Sequence, residues 1–245
     1  MSQFALKRFA SLGVELFGES TITTIVEIGA RDCDETLLFH ALFPHAKIYA
    51  FECNPYTIPV CRNAVQGIGA ISLVEKAASS QDGTTSFYPI NPHFSPAYNP
   101  GASSLYKASG KYPLENYVQK EVVVDAISLK TFMKTNQINR IDLLWMDIQG
   151  AELLALQGLH ERIKDVKIIH LEIEFFEIYK DQPLFDSIHS FMSKHDFLLL
   201  EATGLNPFFG DVIYINQKFI MDEATRNAIA INSVNLNKYL IDNYM

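Results

Sequence analysis

From Thr23 onward the chain alternates short apolar runs with segments whose apolar residues recur every three or four positions. The runs predict strands at 24–28, 47–51, 71–76, 141–146 and 167–173. The periodic segments predict helices at 35–43, 56–66, 151–160 and 184–194, the last spaced as Leu184, Phe185, Ile188, Phe191 and Met192. Parallel strands cannot be joined by a tight turn, so this alternation predicts an α/β domain with a mostly parallel sheet. Two later runs, 197–201 and 211–215, have no helical segment between them and predict a closing hairpin. Ahead of the first strand, Leu6, Phe9, Leu12 and Leu16 share one helical face, which predicts an amphipathic helix over 3–17 ending near Gly18. Lys7 and Arg8 alone make a weak basic face, so this helix is expected to pack on the sheet edge rather than lie on a membrane.

One segment breaks the alternation. Between the strand-like runs 85–88 and 122–124 lie residues 89–121, which hold five of the ten prolines (Pro89, Pro92, Pro96, Pro100 and Pro113) interleaved with Phe94, Tyr98, Tyr106, Tyr112 and Tyr117. A loop this long inside a compact domain is uncommon, and its aromatic content argues against plain disorder. Two readings stand: a lid that covers substrate, or a surface excursion whose tyrosines pack back on the domain.

Composition narrows the function classes. A length of 245 residues with 48% apolar content suits one core and one domain. The net charge of -8, with 20 Lys plus Arg and no basic run, gives no footprint for nucleic acid. Cysteines 33, 53 and 61 match no zinc spacing and no disulfide framework, which fits a reducing cytoplasm. The first ten residues lack the apolar core and cleavage site of a leader, and no later run is long enough to span a membrane. The oligomeric state is open.

Two carboxylates, Glu52 and Asp147, stand where open α/β sheets present chemistry, at the carboxyl ends of strands. The first strand ends in Glu27-Ile28-Gly29, and a glycine there permits close backbone approach to a ligand or serves the turn alone. The second strand ends in Glu52, about 20 residues beyond the glycine turn, the position from which an acid holds ribose hydroxyls. A dinucleotide is disfavoured, because Arg31 and Cys33 occupy places where further glycines would admit a pyrophosphate, and Asp32 and Asp34 would repel it. A nucleoside with a cationic centre and an ammonium group is favoured by that acidic turn, and S-adenosylmethionine has both. Farther on, Asp147 ends an apolar strand and enters the turn before a helix.

These residues resemble the FkbM-type S-adenosylmethionine-dependent methyltransferases over about residues 24–216. The resemblance rests on Glu27, Gly29-Ala30 and Thr36; on Glu52 followed by Asn54-Pro55; on Ala77-Ala78 with Gly83 and Phe87; and on Ser103-Ser104-Leu105 and Ser128-Leu129. Its most specific part is Ile141-Asp142-Leu143-Leu144 with Asp147-Ile148-Gln149-Gly150-Ala151-Glu152 and Gly158. Arg31, Cys33, Trp145 and Gln149 depart from the family's usual asparagine, glycine, lysine and glutamate.

The resemblance implies a Rossmann-like class I methyltransferase fold, with a mostly parallel seven-stranded sheet, helices on both faces and an antiparallel closing strand. The domain spans 21–220, preceded by the N-terminal helix at 1–20 and followed by a polar tail at 221–245. It implies O-methylation of a hydroxyl on a sugar, glycan or secondary metabolite. The expected cofactor-binding residues are Glu27, Gly29, Ala30, Arg31, Asp32, Glu52, Cys53, Asn54, Ala78 and Ser104, with Asp147 as the catalytic residue.

Three roles for Asp147 remain open: general base, clamp on the cofactor's ammonium group, or helix N-cap. His170, Glu172 and Glu174 alternate along one strand face, but metal ligands usually come from several elements, so no metal is assigned. Cys33 and Cys53 lie just beyond adjacent strand ends, where they either meet near the cofactor or pack as small apolar thiols. Rival functions are a cofactor-binding module without catalysis and a nicotinamide-dependent oxidoreductase.

Overall fold

The computed structural model describes residues 3–90 and 99–245; Pro92, Phe94, Pro96 and Tyr98 of the long segment lie outside the described residues. In chain order the first half contains α1 (Gln3–Phe17), β1 (Thr24–Ile28), α2 (Asp34–Leu42), β2 (Lys47–Phe51), α3 (Ile58–Ala64), β3 (Ile71–Val74), β4 (Ala77–Ser79) and β5 (Gly83–Phe87). Then follow β6 (Val122–Ser128), α4 (Leu129–Thr135), β7 (Ile141–Met146), α5 (Glu152–Gln157), β8 (Val166–Glu174), α6 (Phe185–Lys194), β9 (Phe197–Thr203), β10 (Phe209–Asn216) and α7 (Glu223–Tyr244).

Seven strands form the main sheet in the order β3-β2-β1-β7-β8-β10-β9. The first five are parallel, and β10 runs antiparallel between β8 and β9. The predicted closing hairpin is therefore present, with its second strand inserted inside its first. The order reverses at β1 and β7, and their carboxyl ends frame the crevice in which such sheets bind ligands. All six residues of β7 are buried, as a central strand covered on both faces requires.

Helix α1 does not sit at the sheet edge, as the sequence suggested. It crosses the middle of one face, where Leu6, Phe9 and Leu12 pack with Ile25, Leu143, Trp145 and Ile168. The cause is Trp145, which lies flat on His170 with ring centroids 3.6 Å apart and needs an apolar cover; Phe9 supplies it at 5.7 Å from Trp145 and 5.8 Å from His170. On the opposite face, α4, α5, α6 and α7 enclose the larger core, which includes Phe132, Leu156, Ile188 and Leu240. The polar tail is helix α7, started by Asp222 accepting from Thr225 N at 2.7 Å and joined to β9 by Leu199 N donating to Ser233 Oγ at 2.8 Å.

A second, three-stranded sheet (β4-β6-β5) was not predicted as such. The third strand of the main sheet stops at Val74, two residues early, and Ala77–Ser79 leaves to pair with β6. Gly158 at the end of α5 permits this, because a Cβ there would lie 2.1 Å from Ser79 O. The consequence is that Ala77 and Ala78 form a wall beside the crevice.

Candidate active site

Two adjoining cavities open at the carboxyl ends of the parallel strands. The first is lined by Gly29, Arg31, Glu52, Cys53, Asn54, Ala78 and Asp147 among the residues the sequence singled out. Lys76, Phe87, Gly101, Ser103 and Leu105 also line it, and sequence reasoning passed over them as cofactor contacts. The second is lined by Asp147, Gln149, Glu172, Glu174 and Asp211, with Tyr112, Glu115 and Tyr117 from the long segment. Arg31, Gly101 and Asp147 belong to both.

Glu52 ties two strand-end turns together. Its Oε2 accepts from Arg31 N at 2.7 Å and its Oε1 from Asn54 N at 2.6 Å. Burial raises its pKa, while these backbone donors pull the other way. Gly29 has φ 94°, and a Cβ there would stand 2.1 Å from Asp147 O, so what approaches this glycine is the turn after β7. That approach seats Asp147 beside the first turn, with Asp147 N donating to Ile28 O at 3.1 Å.

Glu27, Ala30, Asp32 and Ser104 are not among the residues lining the first cavity. Glu27 is buried behind it, accepts from Thr36 Oγ1, and keeps its other oxygen without a partner; burial holds its pKa well above the usual carboxylate range. Ala30 is buried in a small cluster with Cys33, Ala50 and Cys61. Asp32 pairs with Arg31 Nε at 3.0 Å. Ser104 Oγ donates to Gln149 O at 2.7 Å and so fastens the long segment to the turn after β7. Cys33 packs with Cys61, while Cys53 lines the cavity.

Asp147 is held from the side. Gln149 Nε2 donates to its Oδ1 at 2.9 Å and also to Glu172, and the Tyr179 hydroxyl lies 2.9 Å from Gln149 Oε1. No described residue donates to Asp147 Oδ2. Helix α5 has Ala151 at its N-cap and no side-chain cap, and Glu152 at its first position accepts from Ile148 N at 2.8 Å in the turn ahead, so Asp147 does not cap that helix. Burial and the Asp147 charge push Glu152 up to about 7 against that donor.

The alternating row on β8 divides by depth. His170 is sealed beneath Trp145, and burial lowers its pKa to about 3, whereas Glu172 and Glu174 reach the second cavity. Among the described residues no group of three or more His, Cys, Asp or Glu could hold a metal ion.

Residues 27–199 match the profile of the Methyltransferase FkbM domain. The chain belongs to the FkbM methyltransferase family. A 2-O-methyltransferase, NoeI of Sinorhizobium fredii, is 26% identical over 203 residues, 79% of either chain. Methyltransferase 1 of Beauveria bassiana is 26% identical over 150 residues, 58% of this chain and 60% of that one. In fold, a fibrillarin/Nop5p complex superposes with a TM-score of 0.50 at 12% identity, covering 80% of this chain and 73% of that one. This FkbM methyltransferase therefore has the Rossmann-like class I fold and uses S-adenosylmethionine. No helix among the described residues is long and apolar enough to cross a membrane.

Proposed function

We propose that the chain transfers the methyl group of S-adenosylmethionine to a hydroxyl of a sugar, glycan or secondary metabolite in the reducing cytoplasm. The first cavity receives the cofactor and the second the acceptor. The observation that carries this reading is that Asp147 lines both cavities, at the one place where methyl donor and acceptor oxygen must meet.

The residues present fit the cofactor. Each Glu52 oxygen has taken one backbone N–H and retains lone-pair capacity for the two hydroxyls of a ribose. Phe51, Ala78, Phe87 and Leu105 give the same cavity apolar walls for a base. When bound, S-adenosylmethionine supplies a methyl group on a sulfonium, so the protein's task is to align the acceptor oxygen with it. Such alignment is worth roughly 7–11 kcal/mol in intramolecular systems. Gln149 fixes Asp147 through Oδ1, which leaves Oδ2 to take the proton of the acceptor hydroxyl as its oxygen attacks. Glu27, behind the turn, secures α2 through Thr36.

Thermal melting with S-adenosylhomocysteine and with NAD, followed by methyl transfer to a panel of hydroxylated acceptors, tests the reading. Stabilisation by S-adenosylhomocysteine alone, together with turnover, is expected. Stabilisation by NAD alone would point to hydride chemistry, and cofactor binding without transfer to any acceptor would point to a binding module.

A further inference from the structure

The second cavity gathers more acidic side chains than methyl transfer to a hydroxyl needs. Asp147, Glu172, Glu174 and Asp211 face it from the end of β7, from β8 and from β10, and Glu115 joins them from the long segment. The one cation among its lining residues, Arg31, is already engaged with Asp32 and Glu35. Glu172 and Asp211 are direct cross-strand partners on one sheet face, where like charges weaken a sheet.

Glu174 gives a second, independent sign. It is 1% exposed, it lines the cavity, and its Oε2 has no hydrogen-bond partner. Burial, with the Glu152 and Asp147 charges, holds Glu174 well above the usual carboxylate range, and the Gln182 amide beside it, whose Nε2 also lacks a partner, only partly opposes this. A buried carboxylate oxygen lacking a donor costs stability, and a ligand bringing that donor recovers it. Tyr112 and Tyr117 complete the wall, the first held edge-on by Phe208 at 5.2 Å and the second stacked on Tyr179 at 6.0 Å. Aromatic rings beside carboxylates favour cations. A neutral hydroxyl brings one donor and no charge, whereas an ammonium brings three donors, no acceptor, and a positive charge that favours the ionised form of the acids around it.

Building on the methyltransferase reading above, we propose that the acceptor carries a protonated amine, seated among Glu172, Glu174 and Asp211 and flanked by Tyr112 and Tyr117. The substrate class is then an amino sugar or a related amino alcohol, methylated on a hydroxyl.

The test titrates the full chain, saturated with S-adenosylhomocysteine, with 2-amino-2-deoxyglucose, its N-acetyl derivative and glucose near neutral pH, using ligand-observed NMR. The amine is expected to bind at least about tenfold more tightly than either neutral sugar, roughly 1.4 kcal/mol. Glu174→Gln should remove most of that preference, and Asp211→Asn provides the same readout should Glu174→Gln not fold. Equal or tighter binding of the neutral sugars, binding of none of the three, or a preference that survives in the folded variants would overturn the proposal. Failure of the underlying reading looks different, because a chain that does not bind S-adenosylhomocysteine loses the methyltransferase assignment; repeating the sugar titrations without it still decides the amine preference.

Discussion

Gln149 Nε2 donates to Asp147 Oδ1 at 2.9 Å and, from the same nitrogen, to Glu172, so one neutral amide separates two carboxylates. Gln149 holds this place with φ 56°, a left-handed conformation that aims its side chain across the strand ends. The neutral amide lets Asp147 and Glu172 share a donor.

Replacing that donor should be felt in turnover more than in cofactor binding. Gln149→Glu puts a third acid between two others, with Glu172 already raised well above its ordinary range by burial and by Asp147 and Glu174. The variant's kcat should fall increasingly below wild type as pH rises, while affinity for S-adenosylhomocysteine changes little. Superimposable pH profiles would show that Gln149 does not position Asp147.

Glu52 is expected to hold the cofactor's ribose. Glu52→Gln keeps the shape but loses charge and one acceptor, and the Arg31 and Asn54 amides compete for what remains. Affinity for S-adenosylhomocysteine should drop by about 1.5–3 kcal/mol, the worth of a hydrogen bond to a charged group. Unchanged affinity in a folded variant, measured by calorimetric titration, would remove Glu52 from the cofactor site.

The parallel core was legible because its strands are buried on both faces and read as continuous apolar runs, as in Leu143–Met146. The strand-end positions of Glu52 and Asp147 followed from those runs. Ala77–Ser79 was not legible as a strand of another sheet, because three small residues carry no periodicity; pairing with Ala126–Ser128 defines them. Lys76, Gly101 and Leu105 reach the first cavity through that long-range pairing and through loop contacts, which leave no local pattern. The place of α1 was missed for a related reason. Its apolar face was evident, but its target depends on Trp145 stacking on His170, 25 residues apart in the chain and adjacent only by strand register.

Asp211 links the site to stability. Burial, then the Asp147 charge, pushes its pKa from 3.8 to about 7, and it faces Glu172 across the strands and His170 Nε2 at 3.5 Å. The folded state therefore binds more protons than the unfolded state between these values, so this contribution to stability falls as pH rises from about 4 through about 7. Asp211→Asn should flatten that part of the slope and exceed wild type above pH 7 by about 1–3 kcal/mol in the ligand-free protein. Parallel melting curves across the range would contradict the assignment.

Described residues 99–121 contribute walls to both cavities and are tethered by Ser109 Oγ donating to Glu177 O at 2.7 Å and by the Lys111–Glu177 ion pair. As a lid, the segment should resist trypsin at Lys107, Lys111 and Lys120 when S-adenosylhomocysteine and acceptor are both bound, relative to the free protein. Equal cleavage rates would favour a fixed surface excursion.

The account centres on Asp147 as the group between methyl donor and acceptor, and the most direct measurement is kcat of Asp147→Asn at saturating S-adenosylmethionine with an acceptor from the panel. Asparagine keeps an oxygen at this position but cannot take the hydroxyl proton. The account predicts a fall of roughly 10²-fold or more, with S-adenosylhomocysteine affinity nearly unchanged and a smaller loss for acceptors whose hydroxyl ionises readily. Near-normal turnover would contradict it, and a parallel loss of cofactor affinity would make Asp147 a cofactor clamp instead of the base.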